Sequence, residues 1–501
     1  MANLQDTAVL ILGLGQSGLA MARWCARAGA LVTVADTRET PANLAILQSE
    51  LPKTQFISGA FTEQLVAGTE IRAVFVSPGL SPAQTAPVLI ASCASGIWVS
   101  GELGLFSQAL QTLVVEQNYN PRLLAITGTN GKTTVTSLTG QLVERTGKSV
   151  AVAGNISPTL LDTLTQHLDA KTLPEVWVLE LSSFQLEGVH NFAPTMGTVL
   201  NISQDHLDWH LSMQAYAAAK ANVFGKDAPM LLNREDTAVM AMLPAPVKGK
   251  QLRGYITFGT DMPQRPGDFG LETVNGMTWL VKAMEADETR RRRKDDAEEI
   301  HIQRLIPADA LRIRGHHNAA NALAALALAS AADCALGPML YGLREYQGEP
   351  HRVESVAIVN EVEYFDDSKG TNVGATVAAL TGLGAERKLV VILGGEGKGQ
   401  DFSPLAEPVA RYVRNIVLIG KDADAIAVVL AHGAVPVQRA GSMLEAVQMA
   451  NRVSHAGDAV LMSPACASFD MFDNYEHRAQ VFRAAVASLA VDAGVHMEAT
   501  E

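Results

Sequence analysis

Short apolar runs of β character alternate with Ala/Leu-rich helical patterns along almost all of this chain, and no other feature restricts its fold as strongly. Where helices rather than tight turns carry one strand to the next, the strands come out parallel and helices cover both sheet faces. The reading predicts strands at 8–12, 31–35, 73–76, 123–126, 176–181, 198–201, 388–393, 416–419 and 459–462. Most end at Gly, Ser, Asp or Asn, on the side of such a sheet where ligand-binding loops begin. The chain has 501 residues, more than one core organises, and 48% of them are hydrophobic, enough to fill several cores. A polar, proline-containing stretch before residue 122 and the Gln-Gly-Glu-Pro-His segment at 347–351 interrupt the pattern. Three α/β domains are therefore expected, at 1–103, 104–348 and 349–501.

The formal net charge of −13 argues against a general nucleic-acid binder, although a local cluster of donors can still hold a nucleotide. Four cysteines without a CxxC pair make no disulfide framework, so a reducing compartment is expected. The apolar run at 8–12 follows almost directly on the N-terminus without a basic region, and the Ala/Leu segment at 318–336 carries Asn321, Ser330 and Asp333. Neither a secretory leader nor a membrane span is expected, and the chain reads as soluble and cytoplasmic. The most charged run, EADETRRRRKDDAEE at 285–299, has acidic residues on both sides of its basic centre. Internal pairing on a solvated segment accounts for it better than a nucleic-acid patch.

The strongest local motif is LLAITGTNGKTT at 123–134: an apolar strand, a glycine-rich turn, a lysine, two threonines and a helical pattern. Such a turn aims backbone N–H groups and a helix N-terminus at phosphate oxygens, with Lys132 reaching the terminal phosphates and Thr133 offering a hydroxyl to Mg²⁺. Ile126 stands where the usual pattern has its first glycine. A second motif, Gly13-Leu-Gly-Gln-Ser-Gly18, follows the first strand, and Asp36 closes the next. By itself it fits NAD(P), another nucleotide diphosphate, or plain helix–strand packing. Glu180 ends a strand ahead of two serines, as an oxygen donor for a hard cation would. Asp205 and His206 end another, and Lys220 follows in an Ala-rich helix, where alone it signals only a solvated position. Strand ends with compact polar loops at 364–372, 393–398 and 462–470 hold two lysines and several hydroxyls, suited to a small anionic molecule such as an amino acid. Cys466 has no nearby His/Asp constellation and reads as a small buried residue rather than a nucleophile.

Taken in order, GLGQSG, DTR at 36–38, SPG at 77–79, GTNGKTT, GN at 154–155, LELSSFQLE, DHLD, HHNAAN, PHR at 350–352, DDSKGTN, GGEGKG and SPACASFD resemble the Mur ligase family over nearly the whole chain. The resemblance implies N- and C-terminal Rossmann-like parallel sheets flanking a central P-loop ATPase-like domain. It turns the first glycine motif toward UDP, and it points to the branch that adds D-glutamate to UDP-N-acetylmuramoyl-L-alanine in peptidoglycan synthesis. Carried over position by position, Gln16, Ser17, Thr37, Arg38, Ser77, Pro78, Gly79, Asn155 and Ser182 would bind the UDP-linked substrate. Gly128, Thr129, Asn130, Gly131, Lys132, Thr133 and Thr134 would hold ATP, together with Asn318, Asn321, Arg352, Asp367 and Lys369. Thr133 and Glu180 resemble ligands of a first Mg²⁺, and His206 of a second. Lys220 matches a lysine that the family carbamylates to give that second metal a carboxylate. Thr371, Lys398, Ser468 and Tyr475, the last in place of a phenylalanine, match positions that grip D-glutamate. The expected catalytic residues are Lys132, His206 and Lys220, and the expected assembly is a monomer. The charged run at 285–299 has no counterpart in the family pattern.

The implied chemistry phosphorylates a carboxylate, a poor electrophile, before the D-glutamate amine attacks the acyl phosphate. Lys132 and two Mg²⁺ would neutralise the transferring phosphoryl group, and domain closure would exclude water. A Mur ligase adding diaminopimelate would carry Asp-Asn-Pro-Arg in its last domain, whereas the only Asn-Pro-Arg here lies at 120–122. A folylpolyglutamate synthase would share the GTNGK loop without a UDP domain. A dehydrogenase or a non-catalytic nucleotide-sensing module would use GLGQSG and leave the phosphate loop, Glu180, Lys220 and Lys369 without a purpose.

Overall fold

The computed structural model describes residues 4–189, 191–246, 252–286, 300–385, 387–431 and 433–494. Three sheets follow one another along the chain. The first joins β1 (Ala8–Leu12), β2 (Leu31–Asp36), β3 (Gln55–Ser58), β4 (Ile71–Val76) and β5 (Trp98–Ser100). Their order is β3-β2-β1-β4-β5, every pair parallel.

The second sheet contains β6 (Arg122–Thr127), β7 (Val150–Gly154), β8 (Val176–Glu180), β9 (Met196–Val199) and β10 (Met230–Asn233). It continues with β11 (Tyr255–Phe258), β12 (Phe269–Val274), β13 (Met277–Glu285) and β14 (Ile300–Pro307). In the order β14-β13-β12-β11-β10-β9-β6-β8-β7 every pair is parallel except β12–β13 and β13–β14, which are antiparallel. The third sheet contains β15 (Glu354–Val359), β16 (Val362–Asp366), β17 (Leu389–Gly394), β18 (Val413–Ile419), β19 (Val437–Arg439) and β20 (Ala459–Met462). Its order is β15-β16-β20-β17-β18-β19, with only β15–β16 antiparallel.

Each expected strand coincides with or overlaps an observed one. The run at 198–201 ends earlier, at Val199, because Asn201 has left the strand to bracket the phosphate loop. Strand order turns back around β1 and around β6, where loops from neighbouring strands diverge and leave a crevice. Both glycine-rich turns lie there. The hairpin β13–β14 flanks the charged run, of which 287–299 lie outside the described residues.

One apolar core runs through both of the first two sheets. Val9 and Ile11 of β1, Trp24 and Phe106 of two connecting helices, and Trp177 and Leu179 of β8 all belong to it. Phe106, on the helix Glu102–Gln117 that leads from one sheet to the next, meets Trp177 edge-on at 5.1 Å. The other face of the second sheet is covered by the helices Lys132–Arg145 and His316–Ala331. The third sheet keeps two cores of its own, one on each face. Among the described residues no helix is long and apolar enough to cross a membrane.

Candidate active site

The first glycine turn is tight for a packing reason. A Cβ added at Gly18 would lie 1.9 Å from the Gly13 carbonyl oxygen, so the helix Gln16–Arg27 approaches β1 as closely as backbone allows. Asp36, at 1% exposure, accepts the Leu14 N–H at 2.7 Å and both the backbone and guanidinium of Arg38. Burial opposes its ionisation, but these donors hold the carboxyl down at about 2. Its acceptors are thus spent on shaping the turn rather than free for a ribose, which weighs against the dinucleotide reading of that motif. Thr37 and Arg38 stand exposed beside it, and Gln16 meets Ser157 of the second sheet at 3.4 Å.

The second glycine turn is the phosphate loop. Gly128 at φ +154° and Gly131 at φ +82° open it, and Gly131 caps the helix Lys132–Arg145. The Asn201 carboxamide takes both the N–H and the carbonyl of Asn130, at 2.8 and 3.0 Å. A side chain at Gly131 would strike Asn321 Oδ1 at 2.8 Å, so that asparagine, bonded in turn to Asn318, lies against the loop. Lys132 Nζ donates to the carbonyls of Gly128 and Thr129, at 3.0 and 2.9 Å. Lys220 Nζ donates to the same Gly128 carbonyl at 2.9 Å and lies 4.7 Å from the Tyr216 ring.

Two lysines converging on one oxygen cannot both stay charged cheaply. Burial, with Lys132 nearby, drives Lys220 well below the ordinary lysine value, and burial lowers Lys132 against the opposing pull of Glu180. Lys220 is 2% exposed, so the solvated position expected from its Ala-rich helix is corrected: it lies beneath the loop. Glu180 is buried, with Oε1 accepting the Asn155 amide at 2.8 Å and Oε2 left without a partner. His206, whose side chain is 44% exposed, is lowered by desolvation despite Asp205, so its imidazole is neutral near neutral pH.

The third sheet delivers its loops to the same place. Arg352 Nη2 donates to the Thr133 hydroxyl at 2.9 Å, and Asn372 exchanges amide bonds with Asn130 at 3.3 and 3.1 Å. Burial raises the Asp367 carboxyl to about 7 although Ser463 donates to it at 2.6 Å. Burial lowers Lys369, whose Nζ lies 5.3 Å from the Tyr475 ring. The fully buried Arg478 ties two of these loops together by donating to the carbonyls of Cys466 and Ser368. Burial pushes the Cys466 thiol up to about 12, unsuited to a nucleophile.

Three cavities bear on these residues. One of about 880 Å³ between the second and third sheets is lined by Thr129, Lys132, Thr133, Asn155, Glu180 and His206 and, opposite, by Arg352, Lys369, Thr371, Lys398 and Tyr475. A second of about 350 Å³ adjoins it, with Asn130, Gly131, Thr134, Asn318, Asn321 and Asp367 on its walls. Ser77 and Pro78 line a third of about 340 Å³ against Phe184 and Trp209, with Gly79 exposed beside them. Gln16, Ser17, Thr37 and Arg38 line none of the three. Ser182 spends its hydroxyl capping a short helix through Gln185, and Ser468 is buried, its carbonyl accepting the Phe472 N–H. Sequence reasoning passed over Tyr216, which bonds Thr129 at 3.1 Å, and Asn201, Asn372 and Arg478. The i, i+4 spacing of Tyr216 and Lys220 on one helix was the available signal for the first.

This geometry coincides with the comparisons. Residues 7–101 match the MurD-like N-terminal domain of Mur ligases, 126–329 the Mur ligase middle domain, and 351–466 the Mur ligase glutamate ligase domain. A UDP-N-acetylmuramoylalanine–D-glutamate ligase of Albidiferax ferrireducens is 69% identical, with 99% of each chain covered. One of the same name from a Polaromonas species is 58% identical over 99% of this chain and all of its own. The MurF ligase of Thermotoga maritima, solved in complex with ADP, shares the fold at 14% identity, with a TM-score of 0.57 over 97% of this chain and 96% of its own. A phosphate loop walled in by a third sheet, and full-length identity at this level, lead to one conclusion: the chain belongs to the Mur ligase family.

Proposed function

We propose that this protein is an ATP-dependent ligase that adds D-glutamate to UDP-N-acetylmuramoyl-L-alanine through an acyl phosphate, releasing ADP and phosphate. The observation that carries the reading is the single cavity in which Lys132 and Glu180 face Lys369, Thr371 and Lys398. Phosphoryl transfer asks for cations and backbone N–H groups on one side, and an amino acid with two carboxylates asks for ammonium groups on the other. Both are on the walls. The work belongs to peptidoglycan synthesis in the cytoplasm, by a monomer with domains at 1–103, 104–348 and 349–501.

In this reading ATP lies along residues 128–134 with its base toward Asn318 and Asn321, while Arg352, Asp367 and Lys369 complete the pocket. Gln16, Ser17, Thr37, Arg38 and the 77–79 loop hold the UDP-linked substrate, with Asn155 and Ser182 beneath its sugar. Thr371, Lys398, Ser468 and Tyr475 hold D-glutamate. The partnerless buried Glu180 Oε2, in the cavity that Thr133 also lines, fits a hard divalent cation, and a neutral His206 with Lys220 fits a second. Mg²⁺ at these positions would neutralise the charge spread over the phosphoryl oxygens. Burial shifts Lys220 toward the neutral amine, the form that adds CO₂ and becomes a carboxylate. Lys132 would swing from its own loop carbonyls to the transferring phosphoryl, and the lysines opposite would orient the amine toward the activated carbonyl.

Phosphate release from ATP, measured with UDP-N-acetylmuramoyl-L-alanine and in turn D-glutamate, L-glutamate, diaminopimelate or no amino acid, tests the reading. Release that needs D-glutamate and disappears in Lys132→Ala is expected. Release with diaminopimelate instead would change the acceptor, and none under any condition would refute the reaction.

A further inference from the structure

Trp209 lines neither the cavity with Lys132 nor the one with Asn318, yet it joins the helix Leu207–His210 to the 77–80 loop by a hydrogen bond. Its indole N–H donates to the Leu80 carbonyl at 3.0 Å. That loop is packed on the first glycine turn: a Cβ added at Gly13 would meet Ser77 Cβ at 3.0 Å and Leu80 Cδ1 at 3.1 Å. Anything that shifts the turn is therefore felt at Leu80.

On its other side Trp209 enters an aromatic group that reaches the phosphate loop. Its ring lies 4.9 Å from Phe184 and 4.4 Å from His210. His210 stacks on Phe184 with 5° between planes, bonds Ser183 at 2.9 Å and meets Tyr216 at 5.3 Å. Phe184 presents an edge to His206 at 4.7 Å, while the Tyr216 hydroxyl bonds Thr129. The backbone alone does not hold His206. It lies at φ +53°, and the one-turn helix Leu207–His210 that follows ends at Leu211 with φ +64°. Two such residues around a single turn persist only when surroundings hold them. The aromatic contacts, of the edge and tilted kinds that rings favour, supply that hold.

We propose that Trp209 is a positioning residue, tying the 77–80 loop to the Phe184–His210–Tyr216 group so that binding of the nucleotide-linked substrate at that loop sets the place of His206 and Thr129. This rests on the ligase reading. The coupling is physical: one hydrogen bond into the substrate loop, then side chains in unbroken contact up to the phosphate loop. An indole has one donor and no acceptor, so Trp209→Phe removes the bond to Leu80 and keeps a ring against Phe184.

The test compares wild type, Trp209→Phe, Trp209→Ala, Phe184→Leu and the Trp209→Ala/Phe184→Leu double variant in D-glutamate-dependent phosphate release. Wild type is measured first, because silence there refutes the ligase reading and this inference with it. Trp209→Phe should raise KM for the nucleotide-linked substrate by roughly 3- to 10-fold, the worth of one hydrogen bond, with KM for ATP and D-glutamate unchanged. Trp209→Ala should also lower kcat by about 10-fold and raise the half-saturating Mg²⁺ concentration, and the double variant should lose less than the product of the single losses. Thermal unfolding and circular dichroism separate these effects from failure to fold. Kinetics unchanged in both Trp209 variants, or an equal loss toward all three substrates, overturns the proposal.

Discussion

The two junctions between the three sheets are built in different ways. At the first, the helices Gln16–Arg27 and Glu102–Gln117 pack on the helix Leu160–Ala170, and one apolar core passes through both sheets. Arg23 pairs with Asp162 at 3.3 Å and Arg27 with Asp169 at 2.6 Å on its rim. At the second, side chains meet singly across a cleft, Asn130 with Asn372 and Arg352 with Thr133, beside one close approach of Gly315 to Gly382. The chain crosses there through Gly348, His351 and Val353, all at positive φ. A continuous core resists sliding, whereas a few polar bonds can be exchanged for water at small net cost. The first two sheets thus form one body that carries both the 77–80 loop and the glycine loop at 128–131. The third brings its lysines to that body across contacts of the kind that open and close.

If this contrast holds, changes at the second junction strike chemistry and changes at the first strike stability. The largest effect is expected from Lys132→Ala, which should lower kcat by about 10²–10³-fold. The same variant removes one of two ammonium groups facing the Gly128 carbonyl, so its melting temperature should be unchanged or raised. Arg352→Ala should lower kcat/KM by roughly 10- to 100-fold, the worth of a charged hydrogen bond, without moving the unfolding transition by more than about 1 kcal/mol. A large loss of stability with rates intact would break the comparison.

Glu102 sharpens it from the other side. Its carboxylate accepts the Leu161 N–H at 3.1 Å across the first junction and has Ser17 beside it, and burial, outweighing these donors, raises it to about 7 from 4.5. The folded protein therefore holds this proton more tightly than the unfolded chain. The associated stability is complete below about 4.5 and is lost as pH rises through about 7. Urea unfolding across that window should show wild type losing on the order of 1–3 kcal/mol relative to Glu102→Gln, with D-glutamate-dependent rates near wild type in the variant. Parallel stability profiles would contradict the burial of that carboxyl. The smallest effect belongs to Arg23→Ala: its pairs with Asp162 across the junction and with Glu50 are each about one-third or more exposed on both sides, and together they should contribute no more than about 1 kcal/mol.

What was legible in the sequence follows from the same physics. β1 and β20 were readable to the residue because central parallel strands are apolar on both faces. The antiparallel strands β12, β14 and β15 were not, because buried and part-exposed positions mix along each of them and the pattern resembles loop. The phosphate loop was plain, since glycines and a lysine at that spacing have few other uses. Burial of Lys220 was invisible in its own helix, for it depends on which face the helix turns to Gly128. The work of Asp36 was equally hidden, because an acidic residue at a strand end looks the same whether it meets a ribose or shapes the turn before it.

In the proposed reaction the carboxylate of the nucleotide-linked substrate is phosphorylated in the cleft between the first body and the third sheet before the amine arrives. Supplying that substrate with oxygen-18 in its terminal carboxylate and analysing the released phosphate tests it most directly. Transfer of one label atom into phosphate, dependent on Lys132, is predicted. Product formation with unlabelled phosphate would contradict it.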